Sequence, residues 1–433
     1  MKHLFLSVFL LCNTWVFGQA YTSYFTGSTS DISTNPLGGI CLMGGATEHD
    51  EAMKWFLQRA NGGDILVLRT SGSNGYNNYL YSQLGVSVNS VETIVFNNAS
   101  AANDSYVQQK IEQAEAIWFA GGNQWNYVSY WRNTPVSEAI NDALENRNIA
   151  IGGTSAGMAI QGSYYFSAEN GTVTSSTALA NPYDSDVVVD HTPFIQNNYL
   201  ENVITDTHYN NPDRKGRHAV FLARIYTDDG IAAKGIACNE YTAVCIDENG
   251  LASVYGDYPN YPESAYFIQT NCEIDNPIPE TCSPNTPLTW NQNGTALRVY
   301  KVNGTMTGEN SFDLSDWKTG TGGSWENWSV NNGVLSETDG TEINCNALEI
   351  SDENQLQDSS IFPVPFSTAL YINSQTIIKN VTITTINGKT LYKKQVSKSG
   401  RIELCTDFLR AGMYFLQIES DNGIRYQKIL KTS

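Results

Sequence analysis

The chain has 433 residues, of which 41% are hydrophobic and 16% charged, and a formal net charge of −19 at neutral pH. That length carries two or three domains with a sizeable core. The acidic balance argues against nucleic acid or anionic membrane as a partner.

In chain order, Met1-Lys2-His3 is weakly basic and residues 4–16 form an apolar run too short to span a bilayer. Gly18-Gln19-Ala20 follow, so residues 1–20 are expected to be a leader cleaved near 18–20. No other stretch is a candidate membrane span. Without Cys12, seven cysteines remain, at 41, 238, 245, 272, 282, 345 and 405. Cys272 and Cys282, in a Pro/Asn-rich segment, are the expected disulfide, and Cys238 and Cys245 could face each other across a hairpin. The odd total leaves at least one free thiol. No Cys/His cluster has zinc spacing, and IDENG at 246–250 has too few carboxylates for a calcium loop. Neither a metal nor a cofactor is expected.

Residues 39–43 and 64–70 read as strands flanking a helix over 49–60. Residues 91–96, 116–120 and 148–151 read as strands, with helices over 105–114 and 136–145 between them. This alternation predicts an α/β fold with a mostly parallel sheet sandwiched by helices, in which reactive groups collect at the carboxyl ends of the strands. Three glycine turns fall at such ends: Gly44-Gly45, Gly121-Gly122 and Gly152-Gly153.

The third turn opens Gly153-Thr154-Ser155-Ala156-Gly157, a GxSxG pattern between a strand and an incipient helix. There the glycines permit a strained turn, and a serine hydroxyl becomes nucleophilic only if a placed base removes its proton. Of His49, His191, His208 and His218, His208 lies in the richest surroundings, TDTHYNNPDRKGR at 205–217. An oxyanion hole needs backbone N–H groups; Ala156 supplies one, and Gly122 in the AGGNQ turn at 120–124 supplies another.

From residue 260 onward the character changes. The segment 273–345 is rich in Asn, Thr, Gly, Pro and Trp; residues 297–302 are a candidate last strand of the first domain, and the rest reads as a connector or small β module. Residues 355–433 read as a small β-sandwich, with strands over 381–385, 413–418 and 426–430 and turns at Asn387-Gly388 and 421–423. The expected domains are a leader (1–20), a catalytic domain (21–272), a β-rich or loop-rich extension or linker (273–354) and a C-terminal module (355–433).

Six collinear stretches, CLMGGA, GGDILVLRTSGS, FAGGNQ, GGTSAG, DTHYNNPDRKGR and KGIACNEYTAVCID, resemble the S51 peptidase family over about residues 36–256. The resemblance implies a class I glutamine-amidotransferase-like, flavodoxin-type fold. It implies Ser155 as nucleophile, His208 as base and Glu169 in SAENG as the third catalytic residue. Gln124, Asp206, Thr207, Arg214 and Arg217 are the implied substrate contacts. The nearer likeness is to cyanophycinases, which release β-aspartyl-arginine units from a storage polymer. Thr207 and Pro212 depart from that pattern, in which a glutamine and an arginine stand there.

IFPVPFSTALYI at 361–372 and GMYFLQIESDNGIRYQKILK at 412–431 resemble the C-terminal sorting domain read by the type IX secretion machinery. Leader and tail together imply export through the periplasm to the cell surface or medium. The expected function is a secreted serine exopeptidase acting on cyanophycin or a related isoaspartyl peptide. The alternatives are an aspartyl dipeptidase for other acidic peptides and a non-catalytic surface protein holding glycan on Trp317, Trp325 and Trp328.

Overall fold

Residues 64–69 read Asp-Ile-Leu-Val-Leu-Arg, apolar at every interior position, the run that a strand covered on both faces requires. In the computed structural model they form such a strand. Ile65 and Val67 meet a helix carrying Met53, Phe56 and Leu57, while Leu66 and Leu68 face the layer of Val107, Ile111 and Ile140. The structure describes residues 19–192, 194–344, 359–364, 366–385, 390–406, 408–410, 412–420 and 423–432. Almost all of the expected leader, the turn at Asn387-Gly388 and most of that at 421–423 lie outside the described residues.

The chain begins β1 (Tyr21–Gly27), β2 (Ile40–Met43), α1 (Asp50–Arg59), β3 (Asp64–Arg69), α2 (Gly75–Asn78), β4 (Ser90–Phe96) and α3 (Ser105–Gln113). It continues with β5 (Ala116–Phe119), α4 (Gln124–Trp131), α5 (Pro135–Arg147), β6 (Ala150–Thr154) and α6 (Ala156–Ala159). Local chemistry sets these boundaries. Asp104 caps α3 by accepting from the Tyr106 N–H at 2.9 Å, and α5 has proline in its first turn behind a Thr134/Ser137 capping box. Strands β4, β3, β5, β6 and β2 lie side by side and parallel, as expected for the α/β core, and β1 adds an antiparallel edge.

Next come β7 (Tyr165–Phe166), α7 (Ser175–Ala180), β8 (Val189–Asp190), β9 (Val203–Asp206), α8 (Lys215–Asp229) and β10 (Lys234–Cys238). They are followed by β11 (Ala243–Ile246), β12 (Leu251–Tyr255) and β13 (Ser264–Thr270). The remaining strands of this part are β14 (Leu297–Asn303), β15 (Asn310–Asp313), β16 (Gly320–Thr321), β17 (Gly323–Asn331) and β18 (Val334–Asp339). The first sheet extends through β11, β12, β15 and β16, all antiparallel. A second sheet runs β18-β17-β14-β13-β10-β9, with only β9 and β10 parallel. Ile236, Phe267 and Val302 of the second sheet share one apolar cluster with Val244, Val254 and Phe312 of the first.

The strand expected over 297–302 forms as β14, but the rest of 273–344, expected as an extension or linker, is also woven into the two sheets, and the first compact unit runs on to Asn344. This overturns the glycan-platform idea. Trp317 and Trp328 are buried, and Trp325 packs edge-on against Phe312, so the indoles fill core rather than face solvent. Cys272 is disulfide-bonded but Cys282 is a free thiol, so the bridge expected between them does not form. Cys238 and Cys245 are also free; they lie on strands of different sheets, and no hairpin brings them face to face.

The second unit starts at Cys345. Its strands are β19 (Ser359–Phe362), β20 (Ala369–Thr385), β21 (Thr390–Cys405), β22 (Gly412–Ser420) and β23 (Gly423–Lys431). They form an antiparallel sheet around a separate core that includes Leu370, Ile372, Val381, Leu416 and Ile418.

Candidate active site

Strand β6 ends at Thr154, and the chain turns sharply into α6 through Ser155, whose φ of 53° and ψ of −119° are costly for a side chain with a Cβ. The turn is held from outside: the Ser155 N–H donates to the Met43 carbonyl at the end of β2, 3.1 Å away. The flanking glycines are required by space. A Cβ on Gly157 would lie 2.1 Å from the Phe119 carbonyl oxygen, and one on Gly153 would lie 2.5 Å from that of Gly157.

His208 sits two residues past β9, also at positive φ (46°), with its N–H donating to the Gly44 carbonyl at 2.7 Å. A Cβ on Gly45 would fall 2.4 Å from the imidazole Nε2, which explains the second glycine of that turn. Nε2 stands 2.9 Å from Ser155 Oγ. On its other side, Nδ1 stands 2.7 Å from Glu240 Oε1. Glu240 follows β10, the parallel neighbour of β9, so adjacent strand ends deliver base and carboxylate together.

Glu240 is itself held. Its N–H donates to Asn210 Oδ1 at 3.0 Å, and Asn211 Nδ2 donates to its Oε2 at 3.2 Å. The hydrogen bond from His208 draws its carboxyl below the usual range against the opposing effect of burial, with Asn211 and the charge of Arg214 adding to it. An anionic acceptor at Nδ1 keeps the proton there and points the Nε2 lone pair at Ser155.

Glu169, expected as the third member, is exposed, and its place beside the imidazole is taken by Glu240. The other expected residues divide in two. Asp206, Thr207 and Arg217 are only 2%, 3% and 3% exposed. Arg217 grips both Asp206 oxygens, through Nε at 2.8 Å and a second nitrogen, and also donates to the Val173 carbonyl. Burial pushes the Asp206 carboxyl up, but the charge and hydrogen bonds of Arg217 outweigh it and hold it low. This closed pair has no face for a substrate. Arg214 is half-buried, donating to the Thr207 carbonyl at 3.0 Å and lying 4.0 Å from Asp206. Burial and the neighbouring Arg217 bring its pKa down to about 10.

The turn after β5 lies against the nucleophile: a Cβ on Gly121 would sit 3.4 Å from that of Ser155. The next peptide, at Gly122, borders Thr70 and Ser71 at the end of β3. Gln124 is partly exposed, and its amide nitrogen donates to the Phe166 carbonyl. The remaining histidines stand apart from this relay. His218 is buried, its pKa lowered to about 4 by burial, and His191 is exposed beside Asp229.

Residues 75–254 match the model of Peptidase family S51. The matched segment contains Ser155, His208 and Glu240, whose contacts run in the nucleophile–imidazole–carboxylate order of a catalytic triad. Two curated cyanophycinases, from Trichormus variabilis and from a Nostoc species, are each 24% identical over 166 residues, 38% of this chain. The chain spans about half the length of these curated relatives, 50% in each case. A crystal structure of a peptidase from an acI-B1 Actinobacterium aligns at a TM-score of 0.38 and 17% identity, over 53% of this chain and 94% of that one. Outside that match, residues 360–432 match a secretion-system C-terminal sorting domain, which supports secretion or attachment at the cell surface. Among the described residues no helix is long and apolar enough to cross a membrane.

Sequence reasoning missed Glu240. It lies within KGIACNEYTAVCID, one of the stretches that carried the resemblance, but 32 residues from His208 and beyond the end of another strand. An acid just past the strand after the histidine strand was the available signal.

Proposed function

We propose that this protein is an exported serine exopeptidase that releases β-aspartyl-arginine units from cyanophycin, or cleaves a related isoaspartyl peptide, through an acyl-enzyme. The observation that carries it is the continuous contact Glu240···His208···Ser155, at 2.7 and 2.9 Å. Ser155, on a nucleophile elbow, attacks the carbonyl of the peptide bond that joins one β-aspartyl-arginine unit to the next, while His208 takes its proton and Glu240 steadies the resulting imidazolium. The backbone N–H groups of Gly122 and Ala156 receive the oxyanion. His208 then protonates the departing amine, and water, activated by the same imidazole, releases the product.

Arg214 is the cation of its loop with hydrogen-bonding capacity to spare, because Arg217 is committed to Asp206. It is assigned to a substrate carboxylate, with Gln124 as a second polar contact. A single available guanidinium also favours the second reading, an aspartyl dipeptidase for short acidic peptides. The leader at 1–20 and the sorting domain at the other end fit passage through the periplasm and then the type IX machinery.

The test is incubation of the mature protein and its Ser155→Ala variant with insoluble cyanophycin, following β-aspartyl-arginine by mass spectrometry. Release by the parent, lost in the variant with the fold intact, is the expected result. Turnover that persists without the hydroxyl contradicts the mechanism; no release by either protein, with cleavage of short aspartyl peptides, selects the second reading.

A further inference from the structure

Strands β2 and β11 place two thiols face to face. Cys41 and Cys245 are register partners, 0% and 1% exposed, with sulfurs 3.6 Å apart. The backbone bonding around them identifies the kind of pair. Ile151 and Ser155 of β6 and its turn donate to the carbonyls of Gly39 and Met43, so residues 39, 41 and 43 direct their peptide groups toward β6. Gly44 donates the other way, to the Thr242 carbonyl in the turn entering β11. Cys41 and Cys245 are therefore a non-hydrogen-bonded antiparallel pair. Such pairs have Cα atoms about 4.5 Å apart, inside the ~4.4–6.8 Å that a disulfide spans.

We propose that Cys41 and Cys245 are a covalent cross-linking site, oxidised to a disulfide in the exported protein. Two thiols lose two protons and two electrons, and an exchangeable disulfide of small-molecule or oxidoreductase origin is reduced to two thiols. A thiolate of one cysteine displaces one sulfur of that oxidant, and the second cysteine displaces the other. Exchange takes place before β2 and β11 close on α1, since in the folded core both sulfurs are out of reach and burial holds the Cys245 thiol well above its usual range. The chain already holds a disulfide at Cys272, and its C-terminal match is to a secretion module, both consistent with maturation where thiols oxidise.

The position gives the bond a consequence. Carbonyls at the end of β2 and just beyond it receive the N–H groups of Ser155, His208 and Tyr241, and β11 begins three residues after Glu240. A bridge here ties together the two strands on which the catalytic contacts hang. It also joins residues 204 apart in sequence, and long loops give the larger restriction of the unfolded chain.

The test folds the full chain in a mixture of oxidised and reduced glutathione, alkylates it in denaturant and maps its peptides without reduction. The expected result is one linked species joining the peptides that contain Cys41 and Cys245, with both protected from iodoacetamide. The gap in melting midpoint between oxidised and reduced protein should also be several degrees wider in the parent than in Cys245→Ala. Quantitative alkylation of both cysteines after oxidative folding, or linkage of either to a different cysteine, overturns the proposal. The peptide map needs no variant, so a misfolding substitution cannot obscure it.

Discussion

Two carboxylates stand at the ends of neighbouring parallel strands, Asp206 closing β9 and Glu240 two residues beyond β10, yet they do opposite work. Asp206 is sealed in the core and spent on a two-pronged contact with Arg217. Glu240 is only partly buried and spends one oxygen on the His208 imidazole. A buried charge must be fully paired, and full pairing leaves nothing to offer a substrate. A partly open carboxylate against a histidine keeps a proton in play. The carboxylates at the ends of β9 and β10 are therefore divided between scaffold and chemistry, a division that their sequence spacing does not announce.

The contrast can be broken most forcefully at Glu240. Glu240→Gln keeps the shape but can present its amide N–H to Nδ1, inverting the tautomer; kcat should fall by about 10³–10⁴ with little change in melting midpoint. Asp206→Asn should do the reverse, costing about 3–5 kcal/mol of stability in urea unfolding because it leaves Arg217 buried without a counter-charge. The loss has a defined pH window. The folded pKa of Asp206 is depressed, so its contribution is present above the ordinary carboxylate value and disappears as pH falls through the lower folded value; parent and variant should converge in strong acid.

Most of the α/β core was legible, because β3, β4, β5 and β6 are short apolar runs separated by helical stretches. The second sheet was not, since β9, β10, β13, β14 and β17 are joined by pairings that no local pattern encodes. The same limit applied to the site. Ser155 and His208 could be found from their own neighbourhoods, whereas Glu240 reaches the imidazole only through the β9–β10 pairing, and Glu169 was preferred because it is nearer in sequence. Arg217 was expected at the substrate because nothing local shows that the first turn of α8 packs inward.

His218 gives a smaller effect that sharpens the scaffold side. It is buried neutral, with its pKa lowered from the usual 6.5 to about 4. The unfolded chain therefore binds a proton that the folded one refuses between those values, and stability falls as pH drops from 7 to 4. At about 1.4 kcal/mol per pH unit this is on the order of 3 kcal/mol; His218→Leu should flatten that slope in denaturation series across the range. The smallest effect is expected at Arg214, the cation with capacity to spare. Arg214→Gln should raise KM for an acidic peptide about 10–100-fold and leave kcat nearly unchanged, the pattern of lost uniform binding.

The central claim is that Glu240, through His208, makes Ser155 a nucleophile. The most direct measurement is the rate at which a fluorophosphonate probe modifies the full-length protein, with the adduct located by peptide mass spectrometry. The account predicts modification at Ser155, none there in Ser155→Ala, a rate reduced by orders of magnitude in Glu240→Gln, and the parent rate in Glu169→Gln. An unlabelled Ser155, or a Glu240→Gln protein labelled as fast as the parent, contradicts it.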